Sequence, residues 1–235
     1  MNPKVLLTLV VGGAAALDAT PVAQTLLSQP LVTSWMLGAI WGDPLLALRV
    51  GVVLQVFAAS TLPVGARTPE DFAIGGVVGA RVALALSVGT PFAVALDACA
   101  LAGVVCGLIA AVLGVPVLKW QRRRSEALSR WCEDALRRGD AHALARAHIA
   151  GVVLAFAAGV LCTAALLAAG SWALRSAVEH QSIRLSRAWS LVQPLWLGLG
   201  LAQLLAAFVQ RRFTRAALFG FGLVAGWVLL VGRGS

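Results

Sequence analysis

A few polar side chains interrupt the long apolar stretches of this chain, and they are the candidates for chemistry. Asp18 ends the first apolar run, Gln24 comes six residues later, and Gln55 lies within another apolar stretch. A charge at membrane depth costs at least ~2.5–3.5 kcal/mol on insertion scales, so such residues are kept for binding, for proton transfer or for a structural partner. Because carboxylates and amides form hydrogen bonds with hydroxyl groups, we predict that all three bind a substrate. For Asp18, capping of the next segment is an equally open role.

The elements that must position these residues are interrupted by glycine, proline and acid. Asp43 and Pro44 are typical of a helix start, with an acid at the N-cap and proline at the first helical position. A second start is predicted with Thr68 as the N-cap, Pro69 as the first helical residue and Asp71 closing a capping box. Starts so close together imply short helices whose positive dipole ends lie inside or near a membrane.

The stretch before the second helix start, residues 60–67, is predicted to be a re-entrant loop. Irregular backbone at membrane depth is tolerated only where it is buried in protein or lines a cavity, and transporters build substrate sites in this way. Thr61 and Gly65 of this loop therefore join the predicted substrate site.

Other conspicuous side chains receive structural interpretations. Arg49 and Arg81 either pair with an acid or extend to lipid headgroups, and Asp97 is assigned no role. The indoles of Trp35 and Trp41 either stack on a pyranose ring or lie at the membrane interface. We favour the interface for both tryptophans.

The composition is that of a polytopic membrane protein. The 235 residues are 60% hydrophobic and 12% charged, with a mean hydropathy of +0.87, whereas soluble chains are about 45–50% apolar and about a quarter charged. Residues 149–174, 191–209 and 216–232 carry no charge, and residues 93–118 contain only Asp97. The net charge of +9 gathers beside these windows, as in cytoplasmic loops, so we exclude nucleic-acid binding.

No grouping of residues indicates catalysis, a metal or a cofactor. The cysteines show no C-x-x-C spacing and are interpreted as small buried thiols. The three histidines are separated by polar sequence or by a whole apolar window, and no glycine-rich phosphate loop is present. We expect a protein that is not itself an enzyme.

The chain divides into three predicted parts within an all-α membrane fold. Residues 1–118 form an N-terminal block with broken helices, residues 119–147 a cytoplasmic amphipathic helical hairpin, and residues 148–235 a set of transmembrane helices. The middle part holds eight basic and four acidic residues, which places it in the cytoplasm. Gly139 is expected to end its first helix, and residues 175–190 to form an outer loop. The N-terminus imitates a signal peptide, but a retained first helix fits better because the rest of the chain also belongs in a membrane.

Five motifs, in this order, resemble the membrane-spanning IIC subunit of mannose/fructose/sorbose-type sugar phosphotransferase systems. They are Leu17-Asp18, Pro30-Leu31, Gly38 with Gly42-Asp43, Gly51-Val52-Val53-Leu54-Gln55, and Pro63-Val64-Gly65 with Pro69-Glu70-Asp71. Residues 127–148 also fit the hairpin of that family. Two positions depart from the pattern: Gln55 stands where glutamate is usual, and Gln29 where a basic residue often precedes the Pro-Leu pair.

The resemblance implies a sugar-translocating subunit in the bacterial inner membrane. It would bind a hexose-like sugar in the broken N-terminal half and move it inward by alternating access. Cytoplasmic IIA and IIB subunits would transfer the phosphoryl group, a membrane IID subunit would be an obligatory partner, and the assembly would be oligomeric. The alternative is a transport-incompetent relative that acts as a membrane scaffold or regulatory component. The amide of Gln55 motivates it, because an amide binds hydroxyls but cannot hold a charge.

Overall fold

The computed structural model describes residues 2–19, 25–60, 68–88, 93–209, 213–214, 216–221 and 224. Within these residues the chain is helical and contains no strand, which confirms the predicted all-α class. The helices in chain order are α1 (Pro3–Ala19), α2 (Pro30–Trp41), α3 (Pro44–Ser60), α4 (Phe72–Ser87), α5 (Ala93–Arg137) and α6 (Ala143–Phe208).

The N-terminal part is built from short helices. α2 has 12 residues, or about 18 Å at about 1.5 Å per residue, which falls short of the ~30 Å hydrocarbon core of a bilayer. Gly42 ends α2 in the left-handed conformation (φ +93°), and its N–H donates to the Gly38 carbonyl at 2.8 Å. Pro44 then begins α3, so α2 and α3 form a tight helical hairpin. By contrast, the segments Leu96–Arg137 and Ala143–Gly200 are long and apolar enough to cross a membrane.

α4 lies at the centre of the molecule, and glycine allows α5 to approach its backbone. Every residue of α4 from Ala73 to Leu84 is buried. A Cβ on Gly79 would lie 2.8 Å from the carbonyl oxygen of Gly103, and one on Gly107 would lie 2.8 Å from that of Gly75. The two helices therefore pack backbone to backbone, as small residues allow in membrane proteins.

A similar contact holds α1 against the first half of α6. A Cβ on Gly13 would meet the Phe156 ring at 2.5 Å, and one on Gly159 would meet the Ala16 side chain at 2.5 Å. The C-terminal turns of α1, which carry Asp18, are therefore held against α6 by close packing.

α5 continues without interruption from the apolar block into the polar segment predicted as a cytoplasmic hairpin. It ends in a Schellman motif, in which Gly139 has φ +85°, its N–H donates to the Leu136 carbonyl at 2.9 Å, and the Asp140 N–H donates to the Ala135 carbonyl at 3.1 Å. The start of α6 at Ala143 packs back on α5 beside Ala135. A helical hairpin is therefore present, and both of its predicted boundaries lie inside continuous helices.

α6 contains one break. Gln181 has φ −125° and ψ 23°, outside the helical region. Beyond the break, the Ser186 hydroxyl donates to Asp97 at 3.5 Å and Gly200 lies against α3, so the second half of α6 lies along α3 and the start of α5. Residues 175–190, predicted as an outer loop, are helical apart from Gln181.

Candidate functional site

The carboxylate of Asp18 fixes the segment that leads from α1 into α2. Its Oδ1 accepts hydrogen bonds from the Thr25 backbone N–H and from the Thr25 hydroxyl at 2.8 Å, and its Oδ2 accepts one from the Ser28 N–H at 2.8 Å. The side chain is 4% exposed. The Ser28 side chain also interacts with this carboxylate, so the elbow engages all of the about four acceptor sites of an ionised carboxylate. We call residues 25–31 the elbow.

The amide of Gln55 holds the same elbow from the side of α3. Its Nε2 donates to Gln29 Oε1 at 2.7 Å, and its Oε1 accepts from the Leu31 N–H at 3.2 Å, with the amide orientations assigned from this network. Gln29 is the N-cap residue of α2 but its side chain makes no cap hydrogen bond. Gln55 therefore supplies the acceptor that the first turn of α2 would otherwise lack.

Glycine lets the elbow pack closely against two helices. A Cβ on Gly76 of α4 would lie 2.7 Å from the Pro30 Cα, and one on Gly51 of α3 would lie 2.6 Å from Ser34. Pro30 is therefore wedged between α3 and α4. One turn farther along α2, the buried Ser34 hydroxyl has no hydrogen-bond partner within the part of the chain that the structure describes.

The elbow brings two of the predicted site residues to one element. Asp18 accepts from the Ser28 N–H, and Gln55 accepts from the Leu31 N–H, three residues farther along the elbow. Gln24, Thr61 and Gly65 lie outside the described residues. In this arrangement Asp18 and Gln55 position the backbone of the elbow, and the amide of Gln55 keeps one hydrogen and one lone pair that its contacts with Gln29 and Leu31 do not use.

The predicted helix caps have different outcomes. The Asp43 carboxylate accepts from the Leu46 N–H at 3.0 Å, and Pro44 is the first residue of α3, as the sequence indicates. At the next start, Asp71 itself is the N-cap of α4 and accepts from Ile74 N–H at 3.1 Å.

The predicted capping box at Thr68 is therefore wrong. Thr68 and Pro69 precede α4, and the Thr68 hydroxyl accepts from Arg122 at 3.2 Å instead. The cause is tertiary: the Asp71 N–H donates to the Ala111 carbonyl of α5 at 2.9 Å. That bond fixes Asp71 at the helix end, where its carboxylate serves as the cap.

The guanidinium of Arg81 stacks on the ring of Trp41, 3.5 Å from its centroid. The Trp41 indole N–H donates to the Thr8 hydroxyl at 3.0 Å. Arg81 is 9% exposed, and its Nε and Nη1 have no hydrogen-bond partner among the described residues. Trp41 is thus committed to Arg81 and α1 and does not offer that ring face to a ligand, whereas Trp35 is 55% exposed.

Arg49 and Asp97 form an ion pair with each other. Arg49 Nη1 lies 2.6 Å from Asp97 Oδ1, and the pair joins α3 to the start of α5. The side chains are 48% and 32% exposed, so the pair contributes at most about 1 kcal/mol.

Sequence reasoning misses part of the elbow. Thr25 and Ser28 carry no predicted role, although hydroxyl residues just before a helix that starts with proline are a signal for hydrogen bonds to a nearby acid. Gln29 stands out in the sequence only as a departure from a family pattern. Its contact with Gln55 spans 26 positions of sequence, and no local pattern predicts a pairing of that kind.

Comparisons with known proteins agree with this architecture. The family model described as the PTS system sorbose-specific IIC component matches residues 3–231. A solved structure titled "Structure of membrane protein" superposes with a TM-score of 0.68 at 14% identity, covering 100% of this chain and 96% of the other. A chain of the cryo-electron microscopy complex of the mannose transporter ManYZ with microcin E492 superposes with a TM-score of 0.51 at 16% identity, covering 97% and 96%. None of the curated proteins matches the chain.

The two superpositions, both at low identity, establish the fold, and the family match spans nearly the whole chain. The resemblance seen in the five sequence motifs is confirmed. This chain belongs to the family of PTS sorbose-specific IIC components, which are the membrane transporter subunits of that system.

Proposed function

We propose that this protein is the sugar-translocating IIC subunit of a mannose-type, phosphoenolpyruvate-dependent phosphotransferase system. It binds a hexose-like sugar beside the elbow and moves it inward by alternating access. The observation that carries the proposal is the convergence of Asp18 and Gln55 on the start of a helix only 12 residues long. A sugar is neutral and rich in hydroxyls, and this region offers amides, a carboxylate and hydroxyls.

Unused hydrogen-bonding capacity supports a ligand at the elbow. The amide of Gln55 retains one hydrogen and one lone pair beyond its contacts with Gln29 and Leu31. The buried hydroxyl of Ser34 is also unpaired among described residues. In the proposed site Gln24, Thr61 and Gly65 complete the contacts to the sugar, as their places in the sequence suggest.

Backbone strain in the elbow supports its movement during transport. Leu26 has φ +72°, a left-handed conformation that costs a residue with a Cβ roughly 1–2 kcal/mol. Such outliers persist only where the surroundings enforce them, and here Asp18 holds Thr25 and Ser28 on either side of Leu26. Release of these bonds lets the elbow relax, and we assign the elbow to the part of the protein that moves during transport.

The partners are those that the family implies. We propose that the protein spans the bacterial inner membrane several times, works as an oligomer with a membrane IID subunit, and leaves phosphoryl transfer to cytoplasmic IIA and IIB subunits. The polar hairpin at the junction of α5 and α6 is assigned to the cytoplasmic side. Its eight basic and four acidic residues support that placement.

The test is phosphoenolpyruvate-dependent uptake of labelled mannose, fructose and sorbose in vesicles that contain all four subunits. Asp18→Asn and Gln55→Ala should each lower uptake about two- to tenfold, since one hydrogen bond contributes a net 0.5–1.5 kcal/mol. Asp134→Asn, on an exposed part of the hairpin, is the matched control and should leave uptake unchanged. Uptake that survives both site variants removes the proposed site and leaves the family assignment standing.

A transport-incompetent scaffold is the second candidate, and one observation bears on it. Gln29 and Gln55 replace the base and the acid usual in the family, and their amides bond to each other at 2.7 Å. A complementary pair of amides at these two positions supports a retained role over decay. The scaffold is favoured if the wild-type protein with all partners gives no uptake, or if its gene lies apart from genes for IIA, IIB and IID.

A further inference from the structure

An open groove runs along α6 where that helix leaves the polar hairpin. Its described lining is Arg146 at one end and then five apolar residues, Ile149, Ala150, Val153, Leu154 and Ala157. Its volume is about 510 Å³, and since all of the described lining residues belong to α6, it is a shallow groove along one helix face rather than an enclosed pocket. The apolar lining residues lie at the start of the uncharged stretch of residues 149–174. Arg146, just before this stretch, is therefore placed where the lipid headgroups meet the hydrocarbon.

At the polar end of the groove, the guanidinium of Arg146 lies over the indole ring of Trp131. Arg146 forms an ion pair with Asp140 through Nη2, and its guanidinium carbon lies 5.6 Å from the centroid of the Trp131 ring. The Arg146 side chain remains 56% exposed. Because guanidinium carries five N–H donors, the bond to Asp140 leaves donors free for a second anion. The surrounding hairpin, with eight basic against four acidic residues, adds to the positive potential.

The apolar end of the groove has the depth of one membrane leaflet. Ile149 and Val153 are each 60% exposed, although they lie in a helix long and apolar enough to span lipid. From Ile149 to Ala157 the helix rises about 12 Å, close to half of the ~30 Å hydrocarbon core. A single acyl chain that enters beside Arg146 would run along this wall to about the bilayer midplane.

We propose that the groove binds an anionic phospholipid, with its phosphate on Arg146 and one acyl chain along Ile149, Val153 and Leu154. We favour this occupant because an anionic phospholipid matches both the cationic end and the apolar wall of the groove. A soluble acidic protein would satisfy the charge but not the apolar wall, and a zwitterionic lipid would fill the wall with less benefit from the positive hairpin. The bound lipid ties the base of the hairpin to the membrane surface.

Native mass spectrometry of the full chain tests the proposal, after release from nanodiscs of phosphatidylcholine mixed with phosphatidylglycerol. Arg146→Gln should lower the ratio of retained phosphatidylglycerol to phosphatidylcholine about fivefold, which corresponds to about 1 kcal/mol for one cationic side chain near an anionic surface. Arg146→Lys keeps the charge and should retain a ratio near that of the wild type. Val153→Trp fills the groove and should lower the retention of both lipids, whereas Leu161→Trp, two turns beyond it, should not.

The Asp140→Asn variant distinguishes lipid binding by Arg146 from a purely structural role of its ion pair with Asp140. It frees Arg146 from its partner, so the phosphatidylglycerol ratio should stay equal or rise. If the phosphatidylglycerol ratio falls in both Arg146→Gln and Asp140→Asn, the ion pair only stabilises the hairpin and the proposal is rejected. An unchanged ratio in Arg146→Gln, or equal effects of the two tryptophan variants, also overturns it. Capture of an acidic protein that depends on Arg146 but not on Val153 would assign the surface to that partner instead.

Discussion

Replacing Asp18 by asparagine should loosen the elbow by an amount that the hydrogen bonds define. The carboxylate accepts two bonds from Thr25 on Oδ1 and one from the Ser28 N–H on Oδ2. Asparagine offers one acceptor oxygen, so at least one N–H of the elbow must face an NH₂ group. A hydrogen bond to a charged group contributes about 1.5–3 kcal/mol, and at about 1.4 kcal/mol per factor of ten local opening should increase about ten- to a hundredfold.

Hydrogen–deuterium exchange of the full chain in nanodiscs measures this directly, through the exchange rate of peptides that cover the elbow. Thr25→Val is the graded comparison, because it removes one hydroxyl donor and leaves the charged carboxylate with its backbone donors, so it should accelerate exchange clearly less than Asp18→Asn does. Asp134→Asn on the exposed hairpin should change nothing in these peptides. If Asp18→Asn accelerates exchange no more than Thr25→Val does, the carboxylate does not hold the elbow and the reasoning fails.

Three further sets of variants test the amide pair, the glycine packing and the cation–π contact. Gln55→Ala should cost about 1–2 kcal/mol, as for a lost helix cap, and Gln29→Ala added to it should cost little more, because the two share one contact; additive losses in thermal unfolding would contradict the pair. Gly79→Val should prevent correct assembly, since even a Cβ would meet backbone at 2.8 Å, whereas Gly151→Ala, with open space around it, should stabilise α6 by about 0.5–1 kcal/mol. Trp41→Ala should lower stability by about 2 kcal/mol or more by removing a desolvated cation–π contact; Trp41→Phe, which keeps a ring, should lose clearly less, and equal losses would assign the effect to the indole N–H bond with Thr8, which both variants remove.

Local signals predict the elements that local chemistry controls. Asp43 with Pro44 begins α3, and Gly139 ends α5, because a cap carboxylate, a proline φ angle and a left-handed glycine each act within a few residues. The composition and the spacing of apolar residues likewise predict an all-helical membrane protein with short early helices. The five ordered motifs lead to the correct family.

Local sequence signals do not predict features that depend on distant parts of the chain. The cap of α4 lies at Asp71 rather than at Thr68 because α5 supplies a carbonyl at Ala111. The break in α6 falls at Gln181, which carries none of the glycine or proline chemistry that announces a turn. The elbow is only half predicted for the same reason: Asp18 and Gln55 are conspicuous as polar residues in apolar surroundings, but their common partner becomes visible only when the helices are assembled.

The unbroken course of α5 from the apolar block to the tip of the hairpin has a mechanical consequence. Pro116, the one proline inside this helix, removes a backbone hydrogen bond and is the natural pivot. From Pro116 to Arg137 the helix forms an arm of about 32 Å, so a tilt of about ten degrees would swing the tip through about 5–6 Å. Because the close contacts of α5 with α4 at Gly103 and Gly107 lie on the other side of Pro116, a soluble protein bound at the tip could move the hairpin while those contacts stay in place.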